Sequence, residues 1–430
     1  MATSKTEAIQ FDHASAMPAS TWNHLRMNDA TIAIPEGLAI APNVAVKEPW
    51  RARGAQDEFE NALADAQEAW EETHPAPTAA EIAAREEFLA AEADATYGGT
   101  AQSAYQIGAD AIEESRSLAI AFEHGTGDEA AAYLRYAAGD HVIIETDPDQ
   151  AVSAQVVVNG ESGAVSAAAI DVIAAERSSI DLSVVVAYVP SGARHQTAHG
   201  VAGTTVRVFA DVDARVNVVR TQALGDGFTD IDDMGVFAAE RAQVDVRQTV
   251  LGAGETFTGL ACDLRGDASR IDIATRYLGH GDQAHDFNYI VRHHGQKTEC
   301  DLQANGVLAG KSSKTLRGTI DLIRGAKGAQ GNENETVLLV DDGVHNKTVP
   351  TILCNEDDVA GNHGATIGHI RDEQMFYLAS RGLSREAAEL MFVSAIMEGA
   401  AIDAPDDESR AAVVRLGETV DPGFAALFDE

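Results

Sequence analysis

Six short cores of the form apolar–Asp/Asn–apolar recur down the middle of this chain. They are Ile180-Asp181-Leu182, Val216-Asn217-Val218, Val244-Asp245-Val246, Ile271-Asp272-Ile273, Cys300-Asp301-Leu302 and Ile320-Asp321-Leu322. The central positions are separated by 36, 28, 27, 29 and 20 residues. The preceding residues recur too, as Ala175-Glu176-Arg177-Ser178-Ser179, Ala239-Glu240-Arg241-Ala242-Gln243 and Arg265-Gly266-Asp267-Ala268-Ser269-Arg270. Such a period, with strict alternation, supplies two or three short strands per unit, and no unit can bury its inner face alone. Neighbours must stack. The repeat therefore predicts a β-solenoid whose Asp or Asn faces out and whose apolar flanks face in. A sandwich also uses short strands but would not repeat this motif.

The flanks have a different texture. Residues 1–140 read as an N-terminal helical domain, with Ala/Glu-rich segments at Asp57–Thr73, Ala79–Asp94 and Ser103–His124. His74-Pro75-Ala76-Pro77 breaks the first pair, and Thr78 with Glu81 forms a capping box for the second helix. The solenoid core is placed at 141–370. Residues 371–430 read as a C-terminal helical hairpin with a mobile acidic tail. In it Asp372 is the expected N-cap of the first helix, Arg381-Gly382 its stop, and Ser384 the cap of the second.

Charge narrows the partners. The formal net charge is −37, yet only Lys5, Lys47, Lys297, Lys311, Lys314, Lys327 and Lys347 are lysines, and the acidic residues are spread along the whole chain. Molar salt shortens the Debye length to roughly 3 Å and removes the self-repulsion of such a chain, which points to a salt-adapted, haloarchaeal type of cytoplasm. Nucleic acid needs a basic stripe that is missing here, and an anionic membrane is equally disfavoured. Cys262, Cys300 and Cys354 are isolated, without a CxxC pair, as expected in a reducing compartment. With no apolar leader or spanning run in sight, a soluble cytoplasmic protein is expected.

Few residues offer chemistry of their own. Asn305-Gly306-Val307-Leu308-Ala309-Gly310-Lys311-Ser312 resembles a phosphate loop, but it has three residues between its glycines where the cradle needs four. His280, His285, His293 and His294 lack metal-ligand spacing and read as solvated loop and edge histidines. Cys300 fills an apolar slot of the repeat and reads as a core residue. Cys354 ends the apolar run Val349-Pro350-Thr351-Ile352-Leu353 and is also expected to be buried. Adjacent Asp357-Asp358 favour a turn over a paired-carboxylate site. His363 reads as lying in a short Gly-bounded turn between a strand and a helix, a placement that suits a ligand or docking contact.

The stretch from Asp357 to Leu383 holds Asp357-Asp358-Val359, His363-Gly364-Ala365-Thr366, Gly368, Phe376-Tyr377-Leu378 and Ser380-Arg381-Gly382. It resembles the SufB/SufD family of iron–sulfur cluster assembly scaffolds, in the SufD form. SufB chains typically carry glutamate at the position of Gly364. The likeness continues more weakly back through Pro350 to Asp286 and the solenoid, and fades in the N-terminal third. It implies a right-handed parallel β-helix flanked by helical domains, acting as a non-catalytic scaffold subunit. The implied partners are a SufB-like chain, paired through the β-helix, and the SufC-like ATPase, docked by the C-terminal region. Phe376, Tyr377 and Arg381 are the expected partner-binding side chains.

No stably bound cofactor is implied; an iron–sulfur cluster or iron would pass transiently, with His363 as a ligand shared at the SufB interface. Many relatives carry cysteine two residues before this histidine, where the chain has Gly361, so sulfur must come from another chain. Two other readings remain open. One is a β-helix polysaccharide lyase or hydrolase, by analogy of fold, and the other a SufB-like homodimeric scaffold.

Overall fold

Alternating apolar residues and glycine-marked corners wind the middle of the chain into a coil of parallel strands, seen in a computed structural model that describes residues 8–19, 27–47, 51–53, 57–73, 122–188 and 198–428. Five strands precede the coil: β1 (Ile9–Ala14), β2 (Ala30–Ile34), β3 (Ala39–Ile40), β4 (Val44–Lys47) and β5 (Arg51–Arg53). Among the described residues two helices follow, α1 (Asp57–Thr73) and α2 (Asp128–Ala138). The expectation that residues 1–140 are helical is thus corrected for the first 53, whose described residues form strands. These strands are short and irregularly spaced, so they leave no clear alternation in the sequence. Segment Ala79–Asp94 and nearly all of Ser103–His124 lie outside the described residues.

The coil is built from sixteen strands, β6 to β21, that alternate between two parallel sheets. One sheet holds β6 (His141–Glu145), β8 (Ala164–Ala174), β10 (Gly200–Ala210), β12 (Phe228–Ala238), β14 (Glu255–Leu264), β16 (Ala284–His293), β18 (Ser313–Leu322) and β20 (His345–Cys354). The other holds β7 (Ala151–Asn159), β9 (Ser179–Ala187), β11 (Arg215–Ala223), β13 (Gln243–Val250), β15 (Arg270–Gly279), β17 (Glu299–Leu308), β19 (Gln330–Leu339) and β21 (Ala360–His369). This is the β-solenoid that the repeat predicts.

Register explains the motif. Ile180, Val216, Val244, Ile271 and Cys300 are successive partners in one inward column, and Asp181, Asn217, Asp245, Asp272 and Asp301 form the outward column beside it. The columns continue through Gly331-Asn332 to Gly361-Asn362. Ile320-Asp321-Leu322 does not belong: it lies on β18, in the other sheet. The recurring residues ahead of the motif form a corner. Asp149, Arg177, Asp213, Arg241, Ala268 and Lys297 all have φ between 55° and 63°, in the left-handed region. Each donates its N–H to a carbonyl of the next turn, so the strained corner is hydrogen-bonded throughout.

The two ends of the coil differ. β4 pairs antiparallel with β7, and β5 with β6, so short strands cover the starting edges. The far edges belong to β20 and β21, the end strands of their sheets. The outer face of the first sheet is covered by β1, β2 and α2 through Phe11, Ile32, Ile34, Tyr133 and Leu134. Of the C-terminal helices α3 (Asp372–Ser380), α4 (Arg385–Ile402) and α5 (Asp407–Val420), the last two lie on the outer face of the second sheet, with Val393, Met397 and Val413 packed near Leu251, Leu278 and Val307, while α3 meets α4. The expected mobile tail is therefore corrected: α5 is a capped helix, because Ala412, Val413 and Leu416 give it an apolar side. Residues 55–122 form a second compact unit, in which Phe59 of α1 meets Phe122 edge-on. No helix among the described residues is long and apolar enough to cross a membrane.

Candidate functional site: the open end of the coil

Period-two alternation places Gly361, His363, Ala365 and Ile367 on the inward side of β21, in register with Gly331, Glu333, Glu335 and Val337 of β19. His363 is thus a strand residue and not a turn residue. Its glycine neighbours suggest a turn, but the ladder to β19 overrides that local preference. In every earlier turn this column is covered by the next. Here nothing among the described residues stacks beyond β21, so His363 is exposed and Ile367 is 50% exposed.

Cys354 holds the matching place on β20, beyond Leu322, and is exposed for the same reason. Its expected burial is corrected. Gly361 also faces inward: a Cβ there would lie 3.1 Å from the Ile352 side chain. A cysteine at this position would therefore share the inner face with His363.

The two edges are not equivalent. The N–H of His345 bonds back to Ser312 and that of Ala360 to Ala329. Because backbone groups alternate sides, Pro350 falls on the free edge of β20, where it blocks pairing. On β21 the free edge comprises Gly361, His363, Ala365 and Ile367, without a proline, and it can accept another strand.

Below this open rung the interior turns polar. The Lys314 ammonium is an ion-pair partner of Glu335 and donates to Thr348 Oγ1 at 3.1 Å. Tyr277 donates to Glu335 at 3.3 Å. Burial pulls the Lys314 ammonium below its ordinary value, with Glu335 opposing. Glu333, only 2% exposed, lies directly below His363. Burial and the neighbouring Glu335 push its carboxyl up to about 7, against the pull of Lys314. These residues went unnoticed in the sequence. The signal was there: in Gly331-Asn332-Glu333-Asn334-Glu335-Thr336-Val337 both glutamates share the parity of buried Val337.

Other expected residues fall as follows. Cys300 is buried. His285 and His293 are also buried inside the coil, which corrects their reading as solvated; their shared parity points inward on β16. His294 pairs with Asp263 at 2.6 Å. Gly306 sits within β17 against the Tyr277 ring, in no phosphate-loop turn. Asp357-Asp358 form the bend between β20 and β21, where Glu356 accepts from the Gly325 and Asp357 N–H groups.

At the hairpin the N-cap is Arg371, with Asp372 the first helical residue, while Ser384 accepts from the Ala387 N–H as expected. Phe376 is 77% and Tyr377 55% exposed on α3, and the Arg381 guanidinium lies 5.0 Å from the Tyr377 ring centroid. Among the described residues no three His, Cys, Asp or Glu side chains converge as a metal site.

Comparison with known proteins is concentrated on the coil. The family model for the SUF system FeS cluster assembly SufBD core domain matches residues 156–396. The iron–sulfur cluster assembly protein SufD of Bacillus subtilis is 26% identical over 187 residues, 43% of each chain. A SufBD family protein of Synechocystis is 28% identical over 160 residues, 37% of this chain and 33% of that one. Another from Staphylococcus haemolyticus is 25% identical over 194 residues, 45% and 42% of the two chains. The chain spans less than half the length of these curated relatives.

Proposed function

We infer the role of this chain from the premise that it belongs to the SufBD core family of the SUF system for iron–sulfur cluster assembly. We propose a non-catalytic scaffold subunit of SufD type, without a resident cofactor, working in the cytoplasm. The observation that carries this reading is the uncapped last rung, which offers a free strand edge and a histidine on one surface. A SufB-like chain adds its own strand to β21, since Pro350 bars β20. His363 then gives one imidazole nitrogen to transient iron or to a nascent cluster, a metal that accepts mixed nitrogen and sulfur ligation. With glycine at 361, sulfur comes from the partner. Exposed Phe376 and Tyr377, with Arg381 over the tyrosine ring, form the docking surface for a SufC-like ATPase.

The lyase reading is the weaker one. A groove of about 470 Å³ on the outer face of the second sheet is lined by Asp181, Asp406, Asp407 and Glu408 against a single cation, Lys47. Its sign repels uronate polymers.

Co-expression with SufB-type and SufC-type chains, followed by purification in high salt, tests the proposal. All three chains should be recovered together. Ala365→Pro, which removes a free-edge donor, should lose the SufB-type chain and keep the SufC-type one; Phe376→Asp should do the reverse. A monomer that binds neither and cleaves uronate polymers would sink the proposal. Pairing only with itself through β21 would assign the homodimeric scaffold instead.

A further inference from the structure

Glu333 is out of place as a core residue. Its column holds Leu182, Val218, Val246, Ile273 and Leu302 in the turns below, all buried and apolar. The carboxylate is nonetheless housed. On the facing strand β18 stands Gly318, and a Cβ there would come 2.5 Å from Glu333 Cδ and Oε1. The neighbours of Gly318 in its own column are Tyr289 and Pro350, so glycine at this position opens the space that the carboxylate fills. Within that space Oε2 has no hydrogen-bond partner. A buried carboxylate oxygen without a donor is costly, and a cation is one of the few groups that removes the cost.

The column then leads outward to His363 on the adjacent rung, about 4.8 Å along the coil. Glu333 and His363 are thus register neighbours in the inward column of the last two strands of their sheet, one buried and one exposed. We propose that Glu333 and His363 together form a two-donor site for a divalent transition-metal ion, with its remaining positions open toward the free end. Carboxylate and imidazole both suit first-row metals such as ferrous iron, and two ligands alone hold an ion loosely enough to pass it on. The choice of iron rests on the assembly role proposed above; the site itself does not. On this account the share of ligands supplied by the chain is two, one of them hidden beneath the rung that carries the other.

The test uses the full chain alone, with Co²⁺ as the probe, in molar KCl so that the acidic surface does not bind ions by charge alone. Calorimetry should give one site, and NMR should show hyperfine-shifted imidazole resonances that vanish in His363→Ala. Glu333→Gln keeps the shape of the side chain and should weaken binding at least about tenfold; Glu333→Asp keeps the charge, shortens the reach and should weaken it as well. Unchanged affinity in both Glu333 variants, or no bound Co²⁺ in the wild type, would overturn the proposal and leave Glu333 a protonated core acid. Co-purification with the partner chains is scored separately. A wild type that binds no Co²⁺ yet forms an intact three-chain complex would therefore refute the site and spare the scaffold, and a wild type that binds Co²⁺ through Glu333 and His363 but forms no complex would refute the scaffold and spare the site.

Discussion

His285 and His293 sit inside the coil, and burial depresses both: each is pushed down to about 4, with a neighbouring histidine adding to the effect. His285 stacks on Phe287, with the Leu278 backbone beside its ring. In the unfolded chain both titrate near 6.5, so between pH 6.5 and about 4 the unfolded state binds more protons. The contribution of these two histidines to stability is therefore full above pH 6.5 and is lost as the solution is acidified through that window, by up to about 3 kcal/mol per histidine, while Glu333, raised to about 7, works in the opposite sense. His285→Leu should lose less stability, or gain more, than the wild type on going from pH 7 to pH 5, read from denaturant midpoints in constant salt; an equal change in both proteins would refute the assignment. At this scale the sequence misleads in a particular way. His363 lies among glycines that point to a turn, Cys354 ends an apolar run that points to burial although no further turn among the described residues covers it, and Glu333 shares the parity of buried Val337 while its charge points outward.

A single column of the second sheet shows what repetition does and does not specify. Ile180, Val216, Val244 and Ile271 invite a β-branched residue at Gly331, the next position but one. Yet a Cβ at 331 would fall 2.6 Å from the Ile320 side chain, which already fills the gap from the facing sheet. Gly331→Val, a substitution toward the repeat consensus, should thus destabilise the protein by about 1–3 kcal/mol, measured by chemical denaturation. A neutral or stabilising result would mean that the coil widens freely near its end. The solenoid was legible because its motif returns at each turn in one sheet. The sixth copy misled because an identical pattern suits either sheet. The strands β1 to β5 and helix α5 were not legible, since they are held by packing on the coil and not by a periodicity of their own.

For the molecule as a whole, charge sets the working conditions. A net charge of −37 on 430 residues strains the folded state at low ionic strength. Raising KCl from about 0.1 M to molar concentrations should lift the melting temperature by on the order of ten degrees, with most of the gain at the lower end, where the Debye length shortens fastest. A melting temperature indifferent to salt would contradict the reading of the surface as salt-adapted. The Arg–Asp pairs at the corner, such as Arg177 with Asp149 and Arg241 with Asp213, are exposed and contribute little to this balance.

The coil has one closed end and one open end, and stacked turns cohere only with their immediate neighbours. Opening therefore proceeds like a zipper with a single loose tab, from β21 backwards. A second chain laid along β21 supplies the neighbour that the last rung lacks, and by mass action it holds that tab shut. On the pairing proposed above, assembly of the complex and rigidity of the ion-facing lip would become one equilibrium, with a slack lip in the solitary chain and a set one in the paired chain.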